Sequence, residues 1–126
     1  MATSIGTREY AIAAAVEACD SGRLLADLGR RVAYRTESQE RSQAQNLRAY
    51  LEREIVPLLH RLGFDTRVRR NPERVDAPVL LANRDEGRHL PTIITYGHGD
   101  VVRGYDDQWR KGLDPWPFRQ LGWRIA

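Results

Sequence analysis

The spacing of apolar positions changes character near residue 63: before it they recur every three or four residues, and after it they alternate or run together. Residues 8–19 are alanine-rich and helical by propensity. Ser21 is placed to cap a second helix, in which Leu24, Leu25, Leu28 and Val32 recur at helical spacing. Thr36 with Gln39 three residues later has the form of a capping box opening a third helix. Its Leu47, Leu51, Ile55, Leu58 and Leu62 trace one apolar stripe. Pro57 should kink that helix, and Gly63 can close it in a left-handed cap.

Beyond Gly63 the period becomes that of a strand. Phe64-Asp65-Thr66-Arg67-Val68-Arg69 alternates apolar and polar, as expected of a strand with one wet face. Residues 71–78 are a polar, proline-containing turn region, Val79-Leu80-Leu81-Ala82 is a short apolar run, and 83–91 is a loop pivoting near Gly87. Thr92-Ile93-Ile94-Thr95-Tyr96 is β-branched and apolar on both faces, the pattern of a strand covered on both sides. The predicted fold class is α/β: three helices, then about three strands near 64–70, 78–83 and 91–97, in one unit spanning 1–126. An inner strand of that kind needs more layers than the remaining residues supply, so the pattern reads as an incomplete domain, cut short.

Composition acts by exclusion. At 126 residues, 41% hydrophobic and 29% charged, the chain can build a core and is neither collagen-like nor low-complexity. No apolar run approaches the roughly 18–20 residues of a membrane span. Residues 1–6 lack the basic-then-apolar order of a secretory signal. A soluble, cytoplasmic protein without a membrane partner is expected. All but Lys111 of the 20 basic residues are arginine, and they are interspersed with 17 acids, as in Glu52-Arg53-Glu54. A nucleic-acid surface should gather its charge with stacking aromatics, so the net charge of +3 does not predict such a partner. Cys19, the single cysteine, has no second thiol to pair with and no basic neighbour to activate it, and reads as a helix-face residue.

His98 and Asp100 are the one closely spaced pair of metal-binding type. On an extended backbone residues i and i+2 point to the same side. Both could ligate one ion, or the carboxylate could accept the spare ring N–H of a ligating histidine and fix its tautomer. A turn in which His98 bonds a backbone carbonyl and Asp100 caps the next segment fits the same spacing, and spacing alone favours it. Gly97 and Gly99 remove bulk on either side. His60, late in the third helix, and His89, in a polar loop, are not persuasive ligands. No nucleophile-elbow or phosphate-loop pattern occurs.

The run Thr92-Ile93-Ile94-Thr95-Tyr96-Gly97-His98-Gly99-Asp100-Val101-Val102, followed by Trp109 and by Asp114-Pro115-Trp116-Pro117-Phe118, carries a resemblance. It resembles the first signature, G-H-x-D-V-V with a later tryptophan and D-P-F-like turn, of the zinc amidohydrolases that include acetylornithine deacetylase, succinyl-diaminopimelate desuccinylase, aminoacylase and glutamate carboxypeptidase. Arg35-Thr36-Glu37-Ser38 is similar to that family's upstream P-[ST]-x-S, and the likeness runs from about residue 20 to 121.

The resemblance implies the N-terminal part of an α/β/α zinc-peptidase catalytic domain, without the lid or dimerisation domain. It implies that His98 binds one metal of a two-zinc centre and that Asp100, the catalytic carboxylate carried over, orients it. Trp109 and residues 114–118 would pack and shape the loop. The substrate would be a small peptide or N-acyl amino acid, cleaved by metal-activated water, and a homodimer is possible. After Gly122 the family continues G-R-G-x-x-D-x-K-G, whereas this chain reads Trp123-Arg124-Ile125-Ala126. The bridging aspartate, the general-base glutamate and the later ligands are therefore absent from it, and a truncated, inactive hydrolase is expected. The alternative is a non-catalytic binding or interaction module that uses exposed arginines.

Overall fold

The computed structural model describes residues 6–116. Helix α1 (Arg8–Asp20) is capped by Thr7, whose Oγ1 accepts the Tyr10 N–H at 3.1 Å. Helix α2 (Arg23–Val32) follows almost at once. Ser21 does not open it. Ser21 is still right-handed (φ −74°, ψ −7°) and ends α1, while Gly22, at φ 74°, turns the chain. So short a link requires a left-handed residue, which glycine supplies at least steric cost. Of the apolar face expected in α2, Leu24 and Leu28 remain exposed.

The third helical segment begins later than the capping-box pattern implies. Thr36 is not its N-cap: residues 35–37 lie outside any helix, with Glu37 bridged to a distant loop, and a 3-10 turn at Arg41–Gln43 leads into α3 (Ala44–Tyr50). The helix continues through a π-helical turn, Leu51–Ile55, into α4 (Val56–Arg61). The wide turn lies just before Pro57, which has no N–H for Arg53. The Val56 N–H instead reaches back five residues to the Leu51 carbonyl. The disturbance expected from proline is therefore absorbed as a π-bulge. Gly63, at φ 80°, ends the helix as anticipated. The Phe64 N–H bonds the Leu59 carbonyl and the Gly63 N–H the His60 carbonyl, each at 3.0 Å, the pairing of a Schellman cap.

Strands β1 (Asp65–Arg69) and β2 (Val79–Asn83) pair antiparallel, with Arg67 opposite Leu81. Thr66 and Val68 turn inward while Asp65, Arg67 and Arg69 face solvent, as the alternation predicts. Asn71 builds the connecting turn by accepting the Glu73 and Arg74 N–H groups at 3.0 and 3.3 Å. The architecture is thus mixed α/β, with helices followed by a two-stranded sheet.

The third expected strand, near 91–97, does not form. Residues 92–96 carry strand-type side chains but join no ladder, and Ile93, Ile94 and Tyr96 are 81%, 91% and 91% exposed. Strand propensity describes how a side chain suits a pleated, half-buried surface; it supplies no partner. The apolar interior is correspondingly thin. Leu47 is the one buried apolar side chain among the described residues. The chain exposes 10961 Å², against roughly 6,900 Å² expected for a compact monomer of 14.5 kDa. No helix among the described residues is long and apolar enough to cross a membrane.

So much exposed β-branched surface should drive self-association. Ile94→Lys is expected to lower light scattering and dye binding of the purified chain while leaving its far-UV circular dichroism unchanged, because the side chain contributes almost nothing to packing.

Candidate functional site: a tethered His-x-Asp loop

Beyond residue 96 the loop is tied to the body of the chain through the segment 35–40. Glu37 and Val101 form an isolated parallel bridge. The Val101 N–H donates to the Thr36 carbonyl at 2.9 Å, and the Ser38 N–H donates to the Val101 carbonyl at 3.4 Å. Side chains reinforce this seam. Glu37, 3% exposed, accepts Arg35 Nε–H at 3.1 Å on one carboxylate oxygen and the Gly104 N–H at 2.7 Å on the other. Arg35 also pairs with Asp106 at 3.0 Å and lies 5.7 Å from the Trp116 ring centroid. Arg103 meets Glu40 at 2.7 Å, and Arg74 donates to the Ser38 carbonyl at 2.7 Å.

The loop's own residues complete the turn. Trp109 Nε1–H donates to the Gly104 carbonyl at 2.7 Å, and Asp114 Oδ1 accepts the Trp116 N–H at 2.7 Å. Gly104 is closely packed, since a Cβ there would stand 2.8 Å from Trp116 Nε1 and force that side chain to shift. Gly99 is closed in as well: a Cβ would overlap the ring of Tyr50, which stacks edge-on with Tyr34 at 5.9 Å. Pro117 and Phe118 lie outside the described residues.

On this support His98 and Asp100 meet. His98 Nδ1 lies 3.1 Å from Asp100 Oδ1 and 3.2 Å from the Asp100 carbonyl oxygen. With Nδ1 carrying the proton toward these two acceptors, Nε2 keeps its lone pair free, and the imidazole is 67% exposed. The Ser38 hydroxyl, above all, holds the Asp100 carboxyl below the ordinary carboxylate range; its own backbone N–H and His98 act in the same direction, and partial burial opposes them. The arrangement therefore suits one imidazole ligand with an orienting carboxylate. It is not a closed metal site, because no group of three His, Cys, Asp or Glu able to hold an ion occurs among the described residues.

Of the other candidates, His60 Nε2 lies 2.7 Å from Thr66 Oγ1, on the far side of the helix end, and Cys19 is exposed on α1. The residues missed in the sequence are Arg35 and Glu37. They have the same i, i+2 spacing on an extended backbone that marks His98 and Asp100, and that spacing was the available signal. Comparison with protein-family models, curated proteins and solved structures finds no match.

Two outcomes check this geometry. Gly99→Ala should destabilise the chain by roughly 1–3 kcal/mol through overpacking. It should cost far less in a Tyr50→Ala background, as read by a urea-denaturation double-mutant cycle. Separately, a carboxyl whose folded pKa is depressed adds stability above its unfolded value of about 3.9, and that stability is lost as pH falls through the folded pKa. Carbon-13 NMR should therefore find the Asp100 carboxyl titrating higher in Ser38→Ala. The stability difference between the two chains should be full above about pH 4 and shrink in stronger acid.

Proposed function

We propose that this chain carries the first-ligand segment of a zinc-dependent amide hydrolase, with His98 as a metal ligand and Asp100 as its orienting carboxylate. The observation that carries the reading is the Nδ1 contact of His98 with Asp100, made on a loop that is seamed to residues 36–38. Both segments are among those that carry the family resemblance, and nothing in their local spacing required them to meet. Ser38 takes part in both, as a residue of the upstream motif and as a neighbour of the Asp100 carboxyl.

Bound there, zinc would supply a Lewis acid and an activated water for attack on a small peptide or N-acyl amino acid. The protein's share is to present Nε2 and to fix the ring. A catalytic zinc takes about three protein ligands plus water, and this sequence supplies one ligand and its orienter. A homodimer would repeat the same incomplete set. We therefore expect the 126-residue chain to bind zinc weakly through His98 and to turn over no amide substrate by itself.

The test is calorimetric zinc titration of the wild-type and His98→Ala chains, with assays on acetylated amino acids and dipeptides. Weak binding that disappears in His98→Ala, without turnover, is the expected result. Tight binding indifferent to His98→Ala would overturn the ligand assignment, and metal-dependent turnover lost in His98→Ala would overturn the inactivity.

A further inference from the structure

We propose that Glu37 is a positioning residue for His98: by holding Arg35 and Gly104 together, its carboxylate fixes the loop that decides which ring nitrogen of His98 is left free. The inference rests on the reading of His98 as a ligand, and Glu37 occupies a position that the family motif leaves unspecified.

The chain of contacts is short. His98 Nδ1 faces two acceptors, and one is the carbonyl oxygen of Asp100. That carbonyl belongs to the peptide plane whose N–H is Val101's. Carbonyl and N–H of a trans peptide point in opposite directions, so anchoring the Val101 N–H on the Thr36 carbonyl aims the Asp100 oxygen back toward the imidazole. The anchor is a single bridge in an exposed loop, and its second bond, at 3.4 Å, is long. A bridge between segments so far apart in sequence needs a further tie to offset the entropy of loop closure.

Glu37 provides it three residues further on. Its contact with the Gly104 N–H is a charge-assisted bond at 2.7 Å, made where water has little access. The Gly104 carbonyl is held in turn by Trp109, so both faces of that residue are engaged. Arg35 neutralises the carboxylate, which a buried position otherwise disfavours. His98 and Asp100 are thus set by a residue whose carboxylate bonds to Arg35 and Gly104 instead.

Long-range proton–nitrogen NMR on the full chain reads the His98 tautomer directly, and amide exchange reads Gly104. In the wild type, His98 should carry its proton on Nδ1 and the Gly104 amide should be protected. Glu37→Ala should shift His98 toward the Nε2–H form, expose the Gly104 amide, and weaken zinc binding at His98 by about tenfold. The β1 and β2 amide shifts should stay in place. Glu37→Gln keeps an acceptor for Gly104 but not the charge that pairs with Arg35, and should restore both signals in part. An unchanged tautomer in a folded Glu37→Ala chain overturns the proposal. Should Glu37→Ala also lose the β1–β2 shifts, Glu37→Gln decides: tautomer and Gly104 protection must be kept or lost together, and their separation overturns the proposal. Zinc that leaves the His98 ring signals unmoved in the wild type would overturn the ligand reading alone, since the tautomer measurement needs no metal.

Discussion

The buried carboxylate of Glu37 is the contact on which the loop from Gly97 to Trp116 depends. A 67-residue separation lies between it and Gly104, and closing a loop of that length costs on the order of 4 kcal/mol in chain entropy. Two backbone bonds at Val101, about 1 kcal/mol each, and one charge-assisted bond at Gly104, about 1.5–3 kcal/mol, offset that cost with little to spare. Apolar burial adds little here, since the neighbouring large side chains from Ile93 to Val102 face solvent. A carboxylate can serve as this anchor because Arg35 satisfies its charge; burying it unpaired would cost more than the loop gains.

One geometric rule operates twice along this seam, with different consequences. Residues two apart on an extended backbone share a side, which pairs Arg35 with Glu37 and His98 with Asp100. In the first pair Glu37 is buried beneath the loop while Arg35 is half-exposed, and the contact holds structure. The second lies in the open, where such a contact stabilises little but still selects a tautomer. Chemistry at the exposed pair thus borrows its geometry from the buried one, across a bridge of one residue.

A site suspended from polar contacts responds differently from one built on a packed core. Core sites fail by losing volume; this one fails by losing a charge partner, because Arg35, Glu37, Asp106 and Gly104 act as one connected group. The exposed segment 92–96 leads directly into Gly97 and His98 and brings no packing of its own. The metal-ligand geometry proposed for His98 is therefore supported from its C-terminal side, by the seam at Val101 and the anchor at Gly104.

What the sequence determined by itself is what backbone sterics and a few neighbouring residues decide. The helical character of 8–20 and 44–61, the disturbance at Pro57, the left-handed Gly63 and the wet-faced strand 65–69 all arise from interactions within one or two turns. The proximity of His98 to Asp100 belongs with them, being an i, i+2 relation. Tertiary structure decided the rest. Thr36 has the side chain of a helix cap, yet its carbonyl is taken by Val101. Residues 92–96 have the side chains of an inner strand, yet no strand lies beside them among the described residues. Glu37 reads as an ordinary surface acid until the loop that covers it is in place. Each of these outcomes turns on a partner dozens of residues away, and a local pattern specifies how well a segment could pair, not whether a partner arrives.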